Sequence, residues 1–354
     1  MAAGLILFLL APVSPEAAEN WRVQPLPQQK GAKLLIHDFK MPSSTRGVAV
    51  GCLSQGGRCR PTSLVTADGG RLWKFVDTPE TGLALFFLNE ATGWMVTAQA
   101  LWKTSDSGLS WEKLPESEAT RGVSRTYFRD ERTGWTVGSR QTIYRTTDGG
   151  VTWDPVQVSG NVSTKPAYTS YDWIAFANSR FGMIAGASVP AQSGAPGQSR
   201  ELPHLTIFLD TRDGGATWAA STTSMFGRVT RVAFAPDGRG LGLIEFRRDF
   251  EFPSEVFALD WNSGQSSRAF RRKDIAVTDI AFDVQGSAWL AGIERSGRSA
   301  SGRVKVFRSS DLSTWAEVIV DYRAAASRAT LALCCGATPW MSTDTGALLR
   351  LSGD

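Results

Sequence analysis

The stretch Ile143–Trp153 reads I-Y-R-T-T-D-G-G-V-T-W, and each residue type serves a strand end, a tight turn or a strand start. Ile143 and Tyr144 supply the β-branched and aromatic content of a strand. Asp148 is suited to accept hydrogen bonds from backbone N–H groups two or three residues on. Gly149 and Gly150 tolerate the positive φ that such a turn demands. Thr152 and Trp153 restart the strand, and the indole is large enough to wedge between packed sheets.

The frame recurs at Leu101–Trp111 (L-W-K-T-S-D-S-G-L-S-W) and Phe208–Trp218 (F-L-D-T-R-D-G-G-A-T-W), and at Ser63–Trp73 with Leu72 in the Thr position. A fifth copy, Val306–Trp315, is one residue short and lacks the Gly. These turns resemble Asp-box, or bacterial neuraminidase, repeats. Of 13 Trp in the chain, five sit in this frame, so the excess over 5 Tyr reflects architecture first.

A longer unit surrounds each turn. A Phe-centred strand is followed six residues later by Gly, as in Phe87 to Gly93, Phe128 to Gly134, Phe176 to Gly182 and Phe234 to Gly240. A short apolar strand follows that Gly, for example G-W-T-V-G (Gly134–Gly138), and then the hairpin turn. Four short strands repeating at roughly forty to fifty residues are the pattern of a β-propeller blade. The blades run at about 33–78, 83–115, 123–158, 171–223, 229–270 and 277–320, the fifth having replaced the turn by D-W-N-S-G-Q-S (Asp260–Ser266). Residues 329–351 offer only three strands, and Trp21–Pro27 has the look of the missing fourth. The expectation is an all-β, seven-bladed propeller of four-stranded antiparallel blades, its ring closed by the N-terminal strand joining the C-terminal blade.

Over nearly the whole of residues 19–354 the pattern resembles the seven-bladed propellers related to the photosystem II assembly and stability factor. The units of that family likewise combine a Phe strand, a G-W-x-V-G strand and a T-x-D-G-G-x-T-W hairpin. The resemblance implies a non-enzymatic propeller that binds a membrane-protein client. Members with this pattern occur in organisms without photosynthesis, so the photosystem client does not transfer with the repeat.

The remaining features bound the function. Net charge is +4, too mild to argue for nucleic acid, and no strand interleaves aromatic with basic residues on one face. Residues 1–18 read as a signal peptide, with an apolar run from Leu5 to Val13 and small residues at Ala17 and Ala18. That run is too short for a bilayer core, which takes about twenty residues. An exported, periplasmic or extracellular protein follows. Cys52 and Cys59 flank a Gly-rich loop and are either a disulfide, which export permits, or two thiols. Cys334 and Cys335 read as packing residues on a strand. With only His37 and His204, the usual zinc sites lack ligands, and no cofactor is expected.

Candidate binding residues come from loop length. From the inner-strand Phe to the turn Asp the interval is 19 and 20 residues in blades two and three, 37 in blade four (Phe176 to Asp213) and 29 in blade six (Phe282 to Asp311). Long loops thus rise on one face of blades four to six, opposite the rim that carries the repeat turns, and loops on a rigid scaffold are where binding usually sits. They carry Arg200, Arg247, Arg248, Arg295, Arg298 and Arg303, with Arg268, Arg271, Arg272 and Lys273 in the connection from blade five to six. Asp249, Glu251 and Glu255 offset part of that charge. The expected partner is a protein client with an acidic segment. The inner strands offer no polar cluster that this reading singles out.

A glycan-binding or sialidase-like propeller is the alternative. It would need an Arg cluster, a Tyr–Glu pair and an Asp acid. Tyr168, Tyr322 and Glu201 fall on the proper face, but no spacing ties them together and the Arg-Ile-Pro motif is absent. Trp173 is the evident candidate for stacking on a sugar.

Overall fold

The computed structural model describes residues 19–160, 162–189, 202–247, 250–261, 263–296, 299–333 and 338–352. Among the described residues the fold is all-β apart from two single-turn 3-10 helices, Glu118–Thr120 and Pro166–Tyr168.

The repeat turn explains why the strands stop and restart where they do. In Ile143–Trp153 the Thr146 hydroxyl donates to Asp148 Oδ1 at 2.8 Å and accepts the Gly150 N–H at 2.9 Å. Asp148 in turn accepts the N–H groups of Val151 and Thr152 and the Thr152 hydroxyl. The carboxylate therefore reaches three and four residues on, one further than the sequence expectation. Thr66 with Asp68, Thr104 with Asp106, Thr211 with Asp213 and Ser309 with Asp311 repeat the hydroxyl-to-carboxylate bond. Backbone bonds from Gly149 to Arg132 and from Gly214 to Arg180 tie these turns to the turn after the inner strand of the same unit, so both lie on one rim.

Four antiparallel strands in sequence order make up units one (33–77), two (84–113), three (123–155) and five (228–270). Unit four (169–225) gains a fifth strand: Val158–Ser159, expected at the end of blade three, instead pairs in parallel with Trp218–Met225. The outer strand of a unit presents unpaired backbone, and a passing segment satisfies it. Asn20–Val23 does the same at two edges at once. It pairs antiparallel with Leu348–Ser352 (Trp21 opposite Leu351) and in parallel with Ala316–Asp321 (Trp21 opposite Val320), fusing unit six and the C-terminal strands into one eight-stranded sheet. The expected pairing with the C-terminal strands is thus joined by a second one to unit six.

Apolar seams lie between successive units. Trp73 meets Trp340 edge-on at 5.7 Å, Trp94 stacks on Phe128 at 3.6 Å, Trp135 meets Phe176 at 5.2 Å and Trp315 meets Phe270 at 5.9 Å. The inner strands Lys33–Lys40, Ala84–Phe87, Val123–Phe128, Thr169–Phe176, Arg228–Phe234, Ile275–Phe282 and Ala329–Ala332 each lie against the next, and the last lies against the first. Cys52 and Cys59 are bridged across the first hairpin, with Cα atoms 5.5 Å apart. Cys334 and Cys335 lie outside the described residues; the strand they were expected to occupy ends at Ala332.

Candidate functional site

Where the inner strands converge, five of them carry the same irregularity. A β-bulge at His37, Ser124, Asp172, Thr230 and Thr278 leaves one extra residue on the inner strand. A bulge re-aims the residue that follows it. Those residues are Asp38, Arg125, Trp173, Arg231 and Asp279. The neighbouring strand must approach closely at the bulge: a Cβ on Gly51 would sit 1.9 Å from the Leu35 carbonyl oxygen, and one on Gly138 would sit 2.2 Å from that of Gly122.

The re-aimed side chains form one charged group. Asp38 is paired to Lys40 at 3.0 Å and accepts the Leu85 N–H of the next unit at 2.8 Å. Asp279 holds Arg231 Nε at 3.2 Å and accepts the Leu331 N–H of the C-terminal unit at 2.8 Å. Trp173 lies between two guanidinium groups, 4.8 Å from Arg125 and 4.4 Å from Arg231, and donates its indole N–H to the Val232 carbonyl at 2.7 Å. Around these, Arg328 donates to both Glu245 oxygens at 3.3 Å and Arg228 meets Asp172 at 2.6 Å.

Counting partners isolates one residue. Lys40, Arg228, Arg231 and Arg328 each have a carboxylate. Arg125 has none within ion-pair distance among the described residues; it donates to the Ser124 carbonyl at 2.7 Å and faces Trp173. Burial pushes its pKa down to about 10, with the positive field of Arg231 and Arg328 acting in the same direction against Asp38 and Asp279. It remains a cation at neutral pH. For Asp38, burial pulls the carboxyl upward but is outweighed by Lys40, Arg125 and the Leu85 N–H, which together hold it below its ordinary value. A half-buried guanidinium with unused donors suits a carboxylate or another oxyanion.

This cluster corrects the expectation that the inner strands offer no polar group of note. It also corrects the reading of Trp173, which is half-buried between two arginines rather than free for a sugar. The sequence held a signal: Gly51, Gly138 and Gly186 end apolar second strands, and an isolated Gly in a strand marks a bulge or a close approach.

Of the loop residues expected to bind, Arg200, Arg248 and Arg298 lie outside the described residues. Arg271 is paired to Glu255 at 2.9 Å and lies over the Phe252 ring at 4.0 Å. Arg272 meets Asp274 at 2.5 Å and Glu317 at 4.0 Å, and Lys273 is paired with Glu251. The Asp274 carboxyl is held below its ordinary value, chiefly by its bond from Arg272. Arg268, Arg247 and Arg303 are exposed, and Arg295 is half-buried with its N–H on the Asp274 carbonyl at 2.7 Å. The structure brings Arg271, Arg272 and Lys273 together, interleaved with acids. Of the sialidase-like set, Glu201 lies outside the described residues and Tyr322 bonds Thr345 at 2.9 Å.

No protein-family model matches the chain. Two curated relatives come from Synechococcus. The photosystem II assembly protein Ycf48 of strain JA-3-3Ab is 24% identical over 182 residues, 44% of this chain and 51% of that protein. The photosystem II assembly lipoprotein Ycf48 of strain CC9902 is 24% identical over 243 residues, 66% of this chain and 62% of that protein. The chain thus spans about half to three fifths of these relatives' length. Among solved structures, YCF48 bound to D1 peptide aligns with TM-score 0.63 at 18% identity, covering 94% of this chain and 97% of that one. A family 74 glycoside hydrolase, the xyloglucanase of Xanthomonas campestris, aligns with TM-score 0.61 at 12% identity over 94% of this chain and 53% of that one. At these identities the structural likeness carries the fold: the chain is a β-propeller that resembles the photosystem II assembly factors.

Proposed function

We propose that this chain is a seven-bladed propeller, closed by Asn20–Val23, that serves as a non-enzymatic assembly scaffold for a protein client. In this reading the client presents a carboxylate, as an acidic side chain or a chain terminus, to Arg125, with Trp173 and Arg231 framing the site. The lone guanidinium carries the proposal. Four neighbouring cations have been given acids and Arg125 has not, although an uncompensated buried charge is costly. The curated relatives are assembly factors, and one solved relative holds a peptide, which supports a protein client over catalysis.

The basic loops of blades four to six form a second, outer contact in this reading. Arg268, Arg247, Arg295 and Arg303 steer an acidic client, while Arg271, Arg272 and Lys273 exchange their internal acids for the client's. Arg200, Arg248 and Arg298 belong to the same proposed surface. Export rests on residues 1–18 and on the lipoprotein relative. Among the described residues no helix is long and apolar enough to cross a membrane.

The test is a pull-down from membrane extract with the wild type, Arg125→Met and the Arg271→Glu, Arg272→Glu double variant. Methionine keeps an apolar chain on Trp173 and removes the charge. A client retained by the wild type and lost by Arg125→Met supports the inner site. A client retained equally by all three overturns both contacts.

A further inference from the structure

The outer strands of units one to six fall into two groups by length. Those of units one, two and three are short: Lys74–Asp77, Glu112–Lys113 and Asp154–Pro155. Those of units four, five and six are long: Trp218–Met225, Gln265–Phe270 and Ala316–Asp321. A long outer strand leaves a row of unpaired N–H and C=O groups, which proteins normally cover. Units four and six are covered by the same device. A short segment from elsewhere in the chain lies parallel to the outer strand, Val158–Ser159 on unit four and Asn20–Val23 on unit six.

Unit five, between them, has no such cover. Gln265–Phe270 ends its four-stranded sheet, and among the described residues no backbone bond from outside the hairpin with Ser254–Asp260 reaches Ser266, Ser267 or Arg268. Residues 265–268 are all exposed. They pair in regular register with residues 257–260, and the strand becomes irregular only at the Ala269 bulge, whose carbonyl accepts the Trp315 indole N–H at 3.0 Å. The open edge is therefore as long as the segment Asn20–Val23 that covers unit six.

Its charge is open as well. Arg271, Arg272 and Lys273 each have a carboxylate, whereas Arg268 is exposed and makes no hydrogen bond or ion pair among the described residues. On unit six the added strand brings the opposite charge with it, Arg22 standing across from Asp321. An added strand on unit five repeats that pattern when it sets an acid across from Arg268, because opposite charges facing each other on a ladder are favoured and like charges disfavoured.

We infer that the outer edge of unit five takes an extended segment of the client as a fifth, parallel strand, with an acidic side chain across from Arg268. Backbone bonds supply the affinity and the acid supplies the selection. The inference rests on the proposed protein client, but not on its contact with Arg125, which belongs to the inner strand of unit three.

Neighbouring residues of an antiparallel ladder turn their N–H groups to opposite edges, so one of Ser266 and Ser267 faces outward. Proline at that position removes the outward donor and spares the hairpin bonds. Of Ser266→Pro and Ser267→Pro, the one that keeps the wild-type melting temperature is the test variant, and Arg268→Glu, which leaves the backbone intact, is the second. The full chain carrying Gln265→p-benzoylphenylalanine is photocrosslinked in membrane extract beside a control with Lys113→p-benzoylphenylalanine on the short outer strand of unit two. The captured client segment, identified by mass spectrometry and synthesised as a peptide, is then added to the wild type and the variants while amide hydrogen exchange is read.

The expected result is a crosslink at position 265 and not at 113, to a segment that holds an aspartate or glutamate. The peptide slows exchange across residues 265–268, binds Arg268→Glu about threefold or more weakly and does not bind the proline variant. No crosslink, equal crosslinking at both positions, peptide binding that leaves exchange at 265–268 unchanged, or equal affinity for Arg268→Glu each overturns the inference. So does a dimer in sedimentation that the proline variant abolishes, which assigns the edge to a second copy of the chain. A client lost by Arg125→Met but kept by the proline variant overturns this edge and leaves the proposed function standing.

Discussion

Truncating Trp21 to Ala tests the strand on which the proposed closure depends. The indole is fully buried, meets Trp289 edge-on at 6.0 Å, and sits in the cluster that joins unit six to the C-terminal strands. Removing a buried Trp costs about 3–5 kcal/mol. Unfolding entropy of about 2.1 cal/mol/K per residue gives roughly 0.7 kcal/mol/K for a chain of this length, so the melting temperature should fall by about 4–7 °C. Val23 on the same strand is 45% exposed, and Val23→Ala should move stability by no more than about 0.5 kcal/mol. Differential scanning calorimetry reads both, and deletion of residues 20–30 should lower the transition further. A Trp21→Ala melt equal to wild type, or an unchanged melt after the deletion, refutes closure through Asn20–Val23.

Three further outcomes follow from the ring of bulged strands and from the turns. Asp279→Ala strands Arg231 and frees the Leu331 N–H, and a broken buried pair costs about 3–5 kcal/mol by urea titration, whereas Asp237→Ala, whose partner Arg239 is exposed, costs under about 1; equal losses would deny the inner group its structural role. Arg125→Met should leave stability unchanged or raised, because it removes a buried cation that has no acid; a loss above about 2 kcal/mol would mean that the guanidinium is already satisfied. Acid should destabilise the fold. Asp213 is held down to about 2, first by the Thr217 hydroxyl, and Asp38, Asp106 and Asp130 lie below their ordinary values although burial opposes this. Folded values below the unfolded ones give stability that is present above about pH 4 and lost as pH falls toward about 2. A melting temperature flat across that window would contradict the carboxylate bonds.

The strands were legible because the turn chemistry is local. A Thr, an Asp two residues on and a Trp five further fix one hairpin without reference to the rest of the chain, so counting the turns located most strand boundaries within a few residues. Pairings made by segments between units were less legible. The strand count assigned Asn20–Val23 to the C-terminal edge, where it pairs, but not its second pairing to unit six; Val158–Ser159 is too short to announce which edge it joins, and that choice belongs to whichever outer strand lacks a partner. Ion pairs in the basic loops were legible only in part: Asp274 adjoins Arg271, Arg272 and Lys273 in sequence and Glu251 lies in the neighbouring loop, while Glu317 reaches Arg272 only through the fold.

The inner cluster escaped for a reason specific to strands. A period-two reading assigns faces by parity, and one inserted residue reverses the assignment for everything after it. Asp38, Arg125, Trp173, Arg231 and Asp279 each directly follow such an insertion. Read without it, they scatter as ordinary polar residues in an apolar strand; read with it, they occupy the same place in five successive or near-successive units. The cue lay on the opposite strand, in the glycines that face the bulge. The altered seam between units four and five was legible by the same kind of comparison, since the missing turn Trp of unit five departs from a turn that units one, two, three, four and six keep. In a repeat fold the shared residues build the scaffold. Where a unit departs from the pattern while its neighbours do not, the departure opens a space or places a charge that packing alone does not require.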